Sequence, residues 1–445
     1  MKKAAVDLDA RWRRRIAQRC GGEYFDAPGS GYDFSAVLAE ERKLAQADIA
    51  GNPSLALICF SIADPTDKMS CDAWDMADLW YRHSPDATRY TDLCGITPMI
   101  VGSRSFGDTH EEIVAYLKKR FPGEATAQLT PDWTQYSGHG IKGILAAYVS
   151  TALFDQNTCL FFPTPGYGVI KSEMNRQGCQ TVDLPLQPNA NGRWLIDINQ
   201  LCEANFQCRS EKPVVYVNIP HNPTGTGYTA NEWEQLLAWA YSADAILIVD
   251  EAYFDIYYDE KYVSVLTIPG WEKSCIVLQS ISKGWNATGL RFGWMIGHPT
   301  AIAALRKVVD VKDSGLLGTT IAAGQECLRH PEWAVETREN YRQLHEMLLA
   351  GLQQAGFAAT MPNAGLCQFV PAPNSANGMS FANAAECAQW LRSNLRISTM
   401  HYEAAGRPYL RWAVTFRPNA ECGLLSKADV IAEAVRRLQS VNFTF

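Results

Sequence analysis

No stretch of this chain approaches the ~18–20 consecutive apolar residues needed to cross a bilayer, so a membrane-spanning helix is not expected. Excess positive charge is missing too. Lys and Arg number 40 against 47 Asp and Glu, a formal net charge of −7, which argues against a general nucleic-acid surface. The 13 cysteines include no close Cys-x-x-Cys pair and follow no regular spacing. That pattern fits reduced thiols in a cytoplasmic protein better than a disulfide framework or a zinc site. Internal repeats and low-complexity tracts are absent. The first twenty residues carry seven basic side chains against Asp7 and Asp9, yet no apolar h-region follows, so a secretory signal is not expected. A solvated helix is the favoured reading there, and a basic arm over a partner subunit is the alternative.

The 445 residues, 47% hydrophobic and 20% charged, suffice for a globular protein of more than one domain. From about Tyr90 to Asp310, short apolar runs alternate with helical patterns, the mark of βαβ units on a mostly parallel sheet. Thr229-Ala230-Asn231-Glu232 reads as a capping box ahead of Trp233, Leu236, Leu237 and Trp239. Pro331 opens a further helix carrying Val335, Tyr341, Leu344, Leu348 and Leu352, stopped by Gly356. The rest mixes short strands with helices.

Chemistry concentrates around Lys283. It stands in Ser280-Ile281-Ser282-Lys283, directly after the apolar run Cys275–Leu278, and Arg291 follows eight positions later in Gly289-Leu290-Arg291-Phe292-Gly293. A lysine amine forms a Schiff base with an aldehyde, and flanking hydroxyls with a guanidinium can hold that aldehyde's phosphate. A surface lysine and an ion-paired arginine form the plainer alternative. Upstream, Asn222-Pro223-Thr224-Gly225 ends a strand at Val214–Val217, a turn whose backbone can come close to a ligand. Asp250 ends Ile246-Leu247-Ile248-Val249, where open α/β sheets bind ligands, although a helix N-cap would explain it as well. The turn Gly138-His139-Gly140 leads into the helical run Ile144–Val149 and offers backbone N–H groups and a helix dipole to an anion.

These motifs, in this order and at these distances, resemble the fold-type I pyridoxal-phosphate (PLP) aminotransferases of class I/II over most of the chain, from about Tyr90 to Val414. The resemblance implies an α/β large domain with a mostly parallel central sheet, spanning residues 71–320, and a small α+β domain, 321–445. Residues 1–70 would form an arm and part of that small domain. It implies PLP held by Lys283 as a Schiff base, with Asp250 on the pyridine nitrogen and Asn222 and Tyr253 on the phenolic oxygen. Tyr167, in Pro163-Thr164-Pro165-Gly166-Tyr167, would stack on the ring. Ser280, Ser282, Arg291, Gly138, His139 and Gly140 would surround the phosphate, and Tyr90 would reach it from a neighbouring subunit. Arg411, in Leu410-Arg411-Trp412, would take the substrate carboxylate beside Asn222, with Arg407 and Arg417 as competitors. Amino-acid and 2-oxo-acid substrates, a cytoplasmic location and a homodimer with shared sites follow from the same likeness.

Two departures stand near the expected entrance: an added stretch from Met99 to Thr109, and Ala63-Asp64-Pro65 where Gly-x-Pro is common. They leave open a PLP-dependent lyase, cyclase or oxidative enzyme of the same fold. A PLP-fold sensor joined to a DNA-binding module would need a winged-helix domain ahead of the fold, for which about sixty residues leave little room.

Overall fold

The computed structural model describes residues 34–46, 52–85, 87, 91, 98–208, 212–313 and 315–445. The expectations for the basic first twenty residues and for Tyr90 fall outside the described residues.

Seven strands form the central sheet: β1 (Thr134–Ser137), β2 (Thr158–Thr164), β3 (Gln180–Pro185), β4 (Lys212–Asn218), β5 (Ile246–Asp250), β6 (Cys275–Ser280) and β7 (Gly293–Ile296). Their order is β1-β7-β6-β5-β4-β2-β3. Strand β7 pairs antiparallel with β6 and β1, and the remaining pairings are parallel. Helices cover both faces, which is why the strands read as unbroken apolar runs. Val215, Val217, Leu247 and Val249 enter one core with Trp233, Leu236 and Trp294. Val214, Tyr216 and Ile248 enter the opposite one with Ile144, Leu145 and Leu305. The register aligns Asp250 with Asn218 on one side and Leu278 on the other. The carboxyl ends of β4, β5 and β6 therefore lie level, and the site is built there.

The helix Ala230–Ser242 begins at the capping box expected at Thr229, whose N–H donates to Glu232 Oε2 at 2.8 Å. The helix Glu332–Gln354 follows Pro331 and stops before Gly356, whose φ of +87° suits glycine. Val335 is 49% exposed, however, unlike Tyr341, Leu344, Leu348 and Leu352. At about 100° per residue it falls off the stripe those four share.

A second antiparallel sheet, β8 (Cys367–Pro371), β9 (Met400–Ala404) and β10 (Arg407–Ala413), has the order β8-β10-β9. Its core joins Trp412 to Tyr341, Leu348, Ile58 and Phe60. Ile58 and Cys59 also pair with Ile397 and Ser398. The helix Gly318–Arg329 buries Ile321, Ala322 and Cys327 in the core of the large sheet, together with Ala334. The change from one core to the other thus falls inside Glu332–Gln354.

The added stretch forms a hairpin, Met99–Val101 against Arg104–Phe106. Arg104 pairs with Glu326 at 2.8 Å and Arg329 donates to Ser105 O at 2.7 Å, which fastens the hairpin to Gly318–Arg329. The cysteines differ from the all-thiol expectation. Cys159, in β2, is joined to Cys208 at the end of the helix Ile198–Cys208, and a sequence separation of 49 hides that pairing. Among the described residues no helix is long and apolar enough to cross a membrane.

Candidate active site

A cavity of about 570 Å³ opens at the carboxyl ends of β4, β5 and β6. Lys283, Asp250, Tyr167, Asn222, Tyr253, Ser280, Ser282, Arg291 and Arg411 all line it, joined by Asn218, Ile141, Lys142 and Asp64. Residues separated by more than 240 positions in sequence, from Tyr167 to Arg411, meet at this one opening.

Lys283 follows β6 after a short turn in which the Ser282 N–H approaches Ser280 Oγ at 3.4 Å. Its Nζ donates to Ala63 O at 2.7 Å and stands 3.9 Å from an Asp64 carboxylate oxygen. Burial lowers its pKa to about 8, with Asp64 opposing the shift. The amine is thus far easier to deprotonate than an exposed lysine. The Tyr253 ring centre lies 5.9 Å from the same nitrogen.

Asp250 is 2% exposed. Its Oδ1 accepts the Ala252 N–H at 3.0 Å, an Asx-type turn rather than a helix cap, and its Oδ2 accepts the Tyr216 hydroxyl at 2.6 Å. No cation pairs with it among the described residues. Burial raises its pKa to about 6, and the two neutral donors hold it down. Asn218 Nδ2 donates to Asp250 O at 3.0 Å, and Asn218 Oδ1 receives the Asn222 N–H at 2.9 Å, so the ends of β4 and β5 brace each other.

Arg411 projects from β10, 4% exposed. Its guanidinium donates to Asn222 Oδ1 at 2.9 Å and to the Ser61 carbonyl. The competitors Arg407 and Arg417 are exposed and line no part of the cavity. Arg291 adopts φ +59° and donates to Thr288 O and His139 O, each at 2.8 Å.

The glycine turn is placed one step back from the opening. Gly138, His139 and Gly140 do not line the cavity; Ile141 and Lys142 do. The Gly140 N–H is spent on Arg291 O at 2.9 Å, which removes it as a free anion donor. Glycine is still required: φ is +58°, and a Cβ would meet the Arg291 guanidinium at 2.5 Å. His139 turns its imidazole toward Asp313, 3.3 Å away. The helix that follows runs through Gly140–Gly143, a widened π-type section Ile144–Val149, and Ser150–Leu153. The hairpin at Met99–Phe106 contributes nothing to the lining, in contrast to its expected place at the entrance, because its ties to Gly318–Arg329 hold it elsewhere. Sequence reasoning passed over Tyr216 and Asn218; a tyrosine in an otherwise apolar buried strand was the available signal, since a buried hydroxyl needs a partner.

A buried carboxylate without a cation, a readily deprotonated amine, and serines beside an arginine fit a cationic heteroaromatic aldehyde that carries a phosphate. PLP is such a molecule. The comparisons agree. The model of the family "Aminotransferase class I and II" matches residues 102–415, and the chain belongs to that family. It is a PLP-dependent aminotransferase. The LL-diaminopimelate aminotransferase of Methanococcus maripaludis is 28% identical over 438 residues, 97% of this chain and 98% of that one. Its counterpart from Methanocaldococcus jannaschii is 26% identical over 440 residues, 97% and 98% of the two chains. Among solved structures, the substrate-bound BacF from Bacillus subtilis has a TM-score of 0.79 at 18% identity, covering 95% of this chain and 98% of that one. N-succinyldiaminopimelate aminotransferase from Mycobacterium tuberculosis has a TM-score of 0.76 at 18% identity, covering 96% and 99%. The shared fold is a large, mostly parallel sheet flanked by helices. The lyase, cyclase or oxidative alternative is not favoured, since the named relatives are aminotransferases.

Proposed function

We propose that Lys283 carries PLP and serves as the base of an amino-group transfer from an α-amino acid to a 2-oxo acid. The observation behind this reading is the Lys283 amine, partly buried, held by Ala63 O at 2.7 Å and shifted to a pKa of about 8. PLP, when bound, supplies an electron-accepting ring. Asp250 balances the charge on its nitrogen, while Asn222 and Tyr253 address its phenolic oxygen and Tyr167 covers its face. Ser280, Ser282 and Arg291 take the phosphate, with the Gly138–Gly140 turn behind them. Arg411 grips the α-carboxylate through its planar fork and fixes the substrate's Cα–H bond within reach of Lys283 Nζ. Once the substrate amine had displaced it from the cofactor's aldehyde carbon, that nitrogen would be free to take the proton from Cα, a general-base role suited to a lysine of depressed pKa.

The substrate class proposed is an amino acid with a charged far end, and LL-diaminopimelate, named in the relatives, is the first to test. Asp64 and Lys142 on the cavity wall supply one charge of each sign for such a molecule. The same reading includes a cytoplasmic homodimer with Tyr90 crossing to the neighbour, and a division of the chain into a large domain, 71–320, and a small domain, 321–445, with residues 1–70 as an arm and part of the small domain.

Borohydride reduction followed by peptide mapping tests the central claim. Label is expected on Lys283 and is lost in Lys283→Ala, with turnover falling by at least about 10⁴-fold. Label on another lysine overturns the assignment. A panel of amino acids scored by the spectral change of the bound cofactor tests the substrate class, and the dimer is checked by light scattering.

A further inference from the structure

One buried titratable group beneath the cavity has no part in the reading above. Tyr216 sits in β4, paired with Ile248, two residues before Asn218, which pairs with Asp250. Alternation along a strand puts residues i and i+2 on one face, so the tyrosine lies diagonally behind Asp250. It is 1% exposed, and its ring stacks on Phe162 with centroids 5.9 Å apart and planes 6° from parallel. The stack fixes the ring, and the hydroxyl ends 2.6 Å from Asp250 Oδ2. The Ala252 N–H holds the other oxygen at 3.0 Å. The carboxylate is therefore gripped on both oxygens by neutral donors from two different places, one of them a side chain that substitution can remove.

We propose that Tyr216 is a positioning residue for the reaction, its hydroxyl keeping Asp250 ionised and aimed at the cofactor's ring nitrogen. This rests on the reading of Asp250 as the partner of that nitrogen. A phenol can donate to a carboxylate but adds no positive charge of its own, so it favours the ionised form without competing as a counter-ion. Burial drives the Asp250 pKa up and the Tyr216 hydrogen bond opposes that rise. The phenol remains a proton donor, since burial and the adjacent carboxylate push its own pKa well above the ordinary tyrosine value. Tyr167 and Tyr253 are the other titratable groups facing this pair, with Lys283 and Arg411 on the cavity wall.

The test is Tyr216→Phe in the holoenzyme, which keeps the ring stack and removes only the donor. Turnover is expected to fall about 10- to 100-fold, the scale of one hydrogen bond to a charged group. The acid limb of the kcat profile, and the pH titration of the bound cofactor's absorbance, should move to higher pH by roughly one unit. In an Asp250→Asn background the same substitution should cost little. An unmoved acid limb, or an equal loss in both backgrounds, overturns the proposal and leaves Tyr216 as packing. If Asp250→Asn alone keeps near-normal turnover, the Asp250 reading fails and takes this one with it. A crippled Asp250→Asn beside a silent Tyr216→Phe refutes Tyr216 alone. Should Tyr216→Phe not fold, Phe162→Leu loosens the ring while keeping the hydroxyl; a smaller shift in the same direction supports the proposal and no shift overturns it.

Discussion

Asp250 and Asp255 are five residues apart, both buried at 2% and 4% exposure, and treated in opposite ways. Asp255, behind the site, receives Arg120 Nε at 2.9 Å and the Tyr116 hydroxyl at 3.2 Å. Asp250, facing the cavity, receives among the described residues the Tyr216 hydroxyl and a backbone N–H. Burying a carboxylate is costly unless a cation or several hydrogen bonds compensate. Burial raises the pKa of both acids, but a fixed cation, Arg120, opposes the rise at Asp255, whereas neutral donors alone oppose it at Asp250 among the described residues.

The comparison breaks most visibly at Asp250. Asp250→Asn should lower kcat about 10²- to 10³-fold, the scale of a lost electrostatic contact in a preorganised site, while the cofactor stays bound through its phosphate. The cofactor-free protein should become more stable. With a folded pKa of about 6 against an ordinary 3.8, the native state holds a proton between those values that the unfolded chain has lost. The penalty is therefore full above about pH 6 and is relieved as pH falls toward 4. At pH 7 the variant should gain roughly 2–3 kcal/mol by denaturant unfolding, and the gain should shrink toward pH 4. A destabilised Asp250→Asn would erase the contrast with Asp255.

Asp255→Asn should do the reverse. Loss of the carboxylate leaves Arg120 partly buried and unmatched, a cost of about 2–4 kcal/mol in unfolding free energy after allowance for the exposure of the arginine. Turnover per folded molecule should change little, which activity normalised to bound cofactor would measure. The smallest expected effect sharpens the distinction from the substrate side. Arg411→Lys keeps a charge near Asn222 but loses the fork, and should weaken amino-acid binding by about 1.5–3 kcal/mol. Simple amines without a carboxylate should be affected much less. Equal losses for both would remove Arg411 as the carboxylate site.

Much of this arrangement was legible along the chain. Apolar runs followed by Asn222, Asp250 and the Ser280–Lys283 segment marked strand ends, because strands buried on both faces leave little else to read and the polar residue after each is conspicuous. The capping box at Thr229 and the stop at Gly356 are local chemistry and read directly. The expectations for the Met99–Thr109 stretch and the glycine turn fared less well. The hairpin is placed by Glu326 and Arg329, more than 200 positions away. The Gly140 N–H is claimed by Arg291, whose own conformation depends on β7. The Cys159–Cys208 pairing was equally hidden, since irregular spacing carries no information about which strand lies beside which helix.

By itself the sequence determined the kind of fold, the cofactor chemistry and which lysine, aspartate and arginine to watch, since residue type and order express local propensity and reactivity. The tertiary structure decided how each is held. It placed Ala63 O on the Lys283 amine, put Arg411 and neither Arg407 nor Arg417 on the cavity wall, and gave Asp250 a tyrosine where Asp255 has an arginine. Those outcomes depend on burial and on neighbours distant in sequence. Desolvation and hydrogen-bond geometry set the protonation of a side chain, and neither exists until the chain is packed.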